Sequence, residues 1–174
     1  MPNKMKRFLA VVLLFFSAVC VFAEGNLLFT FAGQSYIQRG VLTFDEREIA
    51  ITVYVVASAD KTKMIIESQA GRLAHIELDL LGNVIVCDGG KLFPKRFVEH
   101  LVLPNFRAIL GYSKFLNQPL MYLKNGKVCE IHYDDVAIKF CDDLSVSSDN
   151  LARVEIVSPS YKVELNYVSR ISKK

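Results

Sequence analysis

Residues able to carry acid–base, nucleophilic or metal chemistry are few in this chain and widely spaced. The histidines are His75, His100 and His132, and they form neither a His-x-x-x-His pair nor a group with a Cys-x-x-Cys motif. Metal sites need ligands that converge on one point, usually from short sequence spacings. The sequence therefore predicts no metal site and no bound cofactor.

Two pairs of adjacent acids, Asp134-Asp135 and Asp142-Asp143, are the candidates for general acid–base work. Both pairs fall where the hydrophobic pattern breaks, and aspartate is common in turns because its side chain hydrogen-bonds the local backbone. We therefore interpret them as solvated turn residues. Since the chain also has no nucleophile elbow, phosphate loop or dinucleotide motif, it predicts a non-enzymatic binding, carrier or structural protein.

The cysteines offer thiol chemistry. Cys129 and Cys141 lie on the two arms of a predicted hairpin, so a disulfide between them is one alternative. A change of register by one residue would place the two side chains on opposite faces of the sheet. Buried free thiols are the alternative that we prefer.

The elements that would position such groups are mainly β-strands. The chain from Tyr36 to Phe93 is rich in Val, Ile, Leu and Tyr and is broken by short polar turns, which is typical of an antiparallel meander. Residues 49–56 are apolar on both faces, which predicts a strand covered on both sides. The strands are predicted at residues 36–44, 48–57, 63–68, 73–80, 83–87, 127–133, 136–141, 151–158 and 161–171.

A helical insert separates the two groups of strands. Residues 94–103 are predicted to form a short helix or loop, and Asn105 is predicted to be the N-cap of a helix that runs to about Leu116. Residues 120–123 are predicted to add one more helical turn. The order of elements indicates a mainly β (α+β) fold in which a strongly twisted antiparallel sheet curls around the insert.

The predicted helix is apolar around most of its circumference. Only Arg107 and Lys114 mark a narrow polar stripe. Such a helix is expected to contact apolar groups on more than its sheet-facing side.

The first 23 residues are typical of a secretory signal peptide. Three basic residues and no acid precede an apolar run from Phe8 to Ala23. Cleavage after Ala23 would leave one domain, residues 24–174, exported to the periplasm. The alternative is an outer-membrane lipoprotein anchored at Cys20, although Val19 stands where a lipobox has a small residue.

The charge balance argues against polyanionic partners. The whole chain has a formal net charge of +3. Removing the signal peptide would remove its three basic residues and leave a nearly neutral domain, which has no electrostatic reason to bind nucleic acid or an anionic surface. We expect this domain to be a monomer.

Short motifs follow one another in an order known from a protein family. They are Gln38-Arg39, the Asp88-Gly89 turn, Leu101-Val102-Leu103-Pro104, the helix at 107–116, Gln118-Pro119-Leu120 and a closing apolar strand at 161–171. In this order, and across residues 36–171, the chain resembles a LolB-like branch of the LolA/LolB outer-membrane lipoprotein carriers. It departs from that branch at Cys87, where an aromatic residue is favoured, and at Gln118, where Trp is usual.

The resemblance implies an unclosed β-barrel whose concave face is covered by helices. In that family the cavity between sheet and helices shelters the acyl chains of lipoproteins that cross the periplasm. It implies that this chain is an exported carrier of lipid acyl chains or lipoproteins, with no chemical step. Burial of each acyl methylene would contribute about 0.8 kcal/mol.

Eight residues are the candidates for lining such a cavity. They are Val53, Val55, Ile66 and Leu78 from the sheet and Phe106, Ile109, Leu110 and Phe115 from the helix. The alternative is that these residues form an ordinary filled core, in a structural or protein-interaction module of the cell envelope. An apolar cavity on the order of several hundred Å³ would favour the carrier, and a filled core would favour the module.

Overall fold

A computed structural model describes residues 33–124, 126–142 and 151–171. The predicted signal peptide, the candidate lipidation site Cys20 and Asp143 of the second acidic pair lie outside the described residues. Within the described ranges, no helix is both long enough and apolar enough to cross a membrane.

Ten antiparallel strands form one sheet in the order β5-β4-β3-β2-β1-β10-β9-β8-β7-β6. The strands are β1 (Tyr36–Phe44), β2 (Arg47–Ala57), β3 (Lys61–Ser68), β4 (Gly71–Asp79), β5 (Val84–Gly89), β6 (Leu120–Lys124), β7 (Lys127–Tyr133), β8 (Val136–Asp142), β9 (Leu151–Ser158) and β10 (Tyr161–Arg170). The first and last strands pair at the centre, so two meanders share one sheet.

The sheet is curved and unclosed, which confirms the predicted fold class. Among the described strands, β5 and β6 form the two edges and no pairing joins them. These two strands are consecutive in the chain, so the connection between them must travel from one edge of the sheet to the other. It does so across the concave face, where its residues pack with the inward side chains of the strands.

Alternation along the central strands separates a buried face from an outer face, as expected for period-two strands. In β2 the buried residues are Ile51, Val53, Val55 and Ala57. The prediction that this strand is covered on both sides is wrong, because Val56 on its outer face is 42% exposed and Ala50 is also exposed. An apolar run on both faces did not require a second covering layer.

The connection contains four short helical pieces, which we call together the helical segment (residues 95–115). They are an α-turn at Lys95–Phe97, a π-helix at Val98–Val102, an α-helix at Leu103–Ile109 and a 3-10 turn at Ser113–Phe115. The amide of Leu103 donates to the carbonyl of Val98, five residues back. Pro104 follows directly, and proline cannot donate the next bond of an α-helical ladder.

Two predictions about this segment are wrong. Asn105 is not an N-cap: it lies inside the α-helix, is buried and directs its side chain to other partners. The helix does not run to Leu116, because it ends at Ile109 and Gly111 adopts a φ of +86°. Positive φ is readily adopted by glycine and ends helices frequently.

The predicted helical turn at residues 120–123 is also wrong, since Leu120–Lys124 is the edge strand β6, paired antiparallel with β7. A run of four apolar residues fits either state, and periodicity does not separate them at this length. Pairing with β7 satisfies the backbone hydrogen bonds, and that tertiary contact decides the conformation.

Candidate functional site

An apolar cavity lies between the concave face of the sheet and the helical segment. Its volume is about 70 Å³. Its wall consists of Tyr36, Gln38, Leu42, Ile51, Val53, Val55, Met64, Ile66, Ile156, Tyr161, Val163 and Leu165 from the sheet, and Phe93, Phe97, Leu101, Val102, Asn105, Phe106 and Ile109 from the connection between β5 and β6. None of these side chains is an acid, a lysine, an arginine or a histidine.

The structure brings together five of the eight predicted lining residues. They are Val53, Val55, Ile66, Phe106 and Ile109. Strand register explains the sheet members: Val53 of β2 is the cross-strand partner of Ile66 of β3. Side chains that pair directly across antiparallel strands lie side by side on one face.

The other three predicted lining residues lie away from the cavity. Leu78 and Leu110 are buried in the surrounding core. Phe115 is half-buried, and the Arg107 guanidinium carbon stands 3.9 Å from its ring centroid. Leu110 and Phe115 follow the end of the α-helix, so the helical spacing that placed them beside Phe106 no longer applies.

Gln38 is one of the cavity residues that were not predicted from the sequence as part of a site. It is 2% exposed, and its side-chain nitrogen has no hydrogen-bond partner among the described residues. The sequence pattern could have identified it, because Gln38 alternates with apolar residues and shares the inward face of β1 with Tyr36 and Leu42. A buried amide without a partner is rare in proteins and calls for an explanation.

Asn105 connects the helical segment to two strands. Its Nδ2 donates to the Leu101 carbonyl and to Tyr161 Oη, each at 2.8 Å, and Tyr133 Oη donates to its Oδ1 at 2.5 Å. Burial raises the pKa of both tyrosines, so each hydroxyl keeps its proton. The network ties the segment to β7 and β10 through neutral groups.

The far end of the segment is held by the turn between β4 and β5. Arg107 Nε donates to the Gly82 carbonyl at 3.0 Å, and Tyr112 Oη donates to the Asp79 carbonyl at 3.4 Å. Burial lowers the pKa of Arg107, and no acid among the described residues forms an ion pair with it. A small number of separate polar contacts therefore fastens the segment over the cavity.

The titratable groups with acid–base potential do not line the cavity. His75 and Glu77 hydrogen-bond each other at 3.1 Å beside Lys61, and Asp134 accepts from Asn117 at 2.9 Å in the turn between β7 and β8. Within the described residues, no group of three or more His, Cys, Asp or Glu side chains is placed to hold a metal. The cavity wall can therefore bury an uncharged apolar group and offer it one amide donor.

The thiols of Cys129 and Cys141 are both free in the structure, so the bridge considered for them is not formed. Cys129 is the extra residue of a bulge in β7, where Glu130 pairs with Tyr122 and Val128 pairs with Leu123. Its Sγ lies 3.4 Å from the Tyr122 carbonyl. Cys141 instead stands opposite a residue of β9.

Comparison with known proteins does not assign a function to this site. No protein-family model matches the chain, and no curated protein matches it at a significant level. The function must therefore be inferred from the cavity.

Proposed function

We propose that this protein is an exported, non-catalytic binding protein or carrier for the acyl chains of lipids or lipoproteins. The observation that carries the proposal is the unfilled, uncharged cavity between sheet and helical segment, inside the cluster of buried apolar residues. Transfer of each methylene from water into such a site contributes about 0.8 kcal/mol. The resemblance to the LolA/LolB carriers supports the same assignment.

The size of the cavity adds a requirement to the proposal. Its volume of about 70 Å³ is room for roughly five water molecules. This is less than the several hundred Å³, on the order of a drug-sized site, that a preformed acyl pocket needs. A ligand therefore has to displace the helical segment, which is joined to the strands through the side chains of Asn105, Arg107 and Tyr112.

The helical segment is built in a way that supports such a displacement. It is divided into short pieces by the π-helix at Val98–Val102, Pro104 and Gly111. π-helical turns are uncommon and occur frequently at functional sites. Short pieces joined at such breaks can shift without unfolding the sheet beneath them.

A protein-interaction module of the envelope is the second candidate, and the sheet edges favour it. Leu120, Tyr122 and Leu123 of the edge strand β6 are each at least half exposed, as is Ile85 of β5. Unpaired edge strands with apolar side chains can pair with another chain. In this alternative the cavity would take up no ligand.

Ligand binding separates the two candidates. Protein made from the full chain would be examined by native mass spectrometry for a co-purified lipid, and by the fluorescence of the neutral apolar probe N-phenylnaphthylamine. The carrier is expected to bind the probe, and a medium-chain acyl ester is expected to displace the probe from it. Absence of both co-purified lipid and probe binding would contradict the carrier and leave the interaction module.

A matched pair of variants locates the probe. Val53→Phe places a ring in the cavity wall and is expected to weaken probe binding at least about 10-fold, since overpacking removes the free space. Val56→Phe makes the same change on the outer face of β2 and is expected to leave binding unchanged. Thermal unfolding of both variants checks that each is folded. Equal probe binding by the two would place the probe outside the cavity.

The location of the protein is tested by the mass of its processed N-terminus. Cleavage after Ala23 would give a diffusible carrier in the periplasm. Lipidation at Cys20 would add the mass of the attached acyl groups and give a tethered acceptor. An unprocessed N-terminus would contradict export by either route.

A further inference from the structure

The unpartnered amide of Gln38 stands in the wall of the cavity. The side chain is 2% exposed, and its Nε2 has no hydrogen-bond partner among the described residues. Its register partner on β2 is Val53, and Val53 pairs in turn with Ile66 of β3. The amide is therefore a single polar group within an apolar row.

From this position we infer that Gln38 Nε2 donates a hydrogen bond to a neutral carbonyl oxygen of the bound ligand, so that the ligand is an acyl ester or acyl amide. The inference rests on the proposed function and adds the chemical class of the ligand. A donor buried without an acceptor destabilises the empty protein. A carbonyl oxygen entering the cavity with the acyl chain would remove that penalty.

The composition of the cavity wall selects a neutral acceptor over an anionic one. Among the described residues that form the wall there is no lysine, arginine or histidine. Burying a carboxylate or phosphate without a countercharge is strongly unfavourable. A neutral ester or amide carbonyl needs one N–H donor, which is what Gln38 supplies.

Four probes whose main chains have nine or ten non-hydrogen atoms test this inference by displacing N-phenylnaphthylamine: decane, methyl octanoate, N-methyloctanamide and ionised octanoate. The wild-type protein is expected to bind the two carbonyl probes about 3- to 10-fold more tightly than decane, the range of one net hydrogen bond. Octanoate is expected to bind more weakly than its methyl ester. The ester and amide probes distinguish a lipid ester from the N-acyl group of a lipoprotein as the source of the carbonyl.

Gln38→Met keeps the length of the side chain and removes the donor. It is expected to abolish the preference for carbonyl probes over decane and to raise the melting temperature of the empty protein. Gln69→Met makes the same change in an exposed turn and is expected to alter neither property. Gln38→Leu is the second variant, with the same expectation if Gln38→Met does not fold.

The outcomes separate this inference from the proposed function. If no probe displaces N-phenylnaphthylamine from the wild type, or the wild type does not bind it, the proposed function fails and the inference with it. If decane and methyl octanoate bind equally to the wild type, acyl binding stands and the role of Gln38 is overturned. A lower melting temperature for both empty Gln38 variants, or tightest binding of octanoate, would also overturn it.

Discussion

Asn105 Nδ2 lies 2.8 Å from Tyr161 Oη, and this hydrogen bond joins the helical segment to the first residue of the last strand. Tyr133, the last residue of β7, donates to the other end of the same amide. One buried side chain thus links residues that lie 28 and 56 positions away in sequence. The position of the segment over the cavity depends on this contact.

Replacing Asn105 with Leu is expected to lower the free energy of unfolding by about 2–3 kcal/mol, because two buried tyrosine hydroxyls lose a partner. It is also expected to speed the entry of N-phenylnaphthylamine, measured by stopped-flow fluorescence, since the segment is less firmly held. Asn117→Leu is the control: its amide is exposed and makes one hydrogen bond, to Asp134. Equal stability of the two variants in urea would contradict the role of Asn105.

Replacing Gly82 with Ala tests the other end of the segment. An added Cβ would stand 2.6 Å from Tyr112 Cγ and 2.9 Å from Phe115 Cε2, at a φ of +82°. The strain and the clash together are expected to lower the free energy of unfolding by about 2–4 kcal/mol. Gly126→Ala is the control: Gly126 has a similar φ of +74°, and nothing lies within 4 Å of the added Cβ. This variant therefore has the backbone strain without the clash, and is expected to lower the free energy of unfolding by about 1 kcal/mol. Equal losses measured by urea unfolding would show that the contact with Tyr112 contributes nothing.

Glu77 is expected to make stability depend on pH. Its pKa lies below the usual value, first because Lys61 donates a hydrogen bond to it at 2.6 Å, and further because His75 hydrogen-bonds it. A carboxyl group with a lower pKa in the folded state stabilises the protein fully above its unfolded pKa of about 4.3, and loses this contribution as the pH falls through the folded value.

The measurement compares wild type with Glu77→Gln by urea unfolding from pH 7 to pH 3. The difference is expected to be about 1 kcal/mol at pH 7, since Lys61 is partly exposed, and to shrink below about pH 4.3. Glu67→Gln, at an exposed site on β3, is the control. A difference that stays constant over this range would contradict the linkage.

Cys87 is expected to react slowly with iodoacetamide in the folded protein. It is buried, and burial is the first cause that raises the pKa of its thiol, so little thiolate forms at neutral pH. Cys129 and Cys141 are half-buried and are expected to react at least about 10-fold faster. Peptide mass spectrometry before and after unfolding measures each rate. Protection of Cys129 and Cys141 until a reductant is added would instead reveal a disulfide between them.

The strands could be predicted because their signals are local. Alternating apolar residues between short polar turns define a strand whatever its partner, and β1, β7 and β9 have the predicted bounds. Asp45 and Glu46, which separate β1 from β2, form a hairpin turn with both residues at positive φ. The helical segment was harder, because Asn105 has the chemistry of an N-cap and its burial by Tyr133 and Tyr161 is a long-range effect.

The cavity lining could be predicted in part for the same reason. Val53, Val55 and Ile66 were predicted as apolar residues of the strands, and in the structure the strand register brings them to one wall. Leu110 and Phe115 were placed by extending an α-helix that in the structure ends at Ile109. Gln38 was recognised as part of a motif, and its unpartnered amide became visible only when the strands and the segment closed around it.

Side-chain pattern along the chain therefore determined the antiparallel strands, the turns between them and the apolar character of the concave face, because these depend on neighbours within a few residues. Tertiary structure decided the strand conformation of Leu120–Lys124, the breaks in the helical segment, and the isolation of Gln38 in an uncharged cavity. Each of these depends on backbone pairing or burial by groups distant in sequence, which no local pattern encodes.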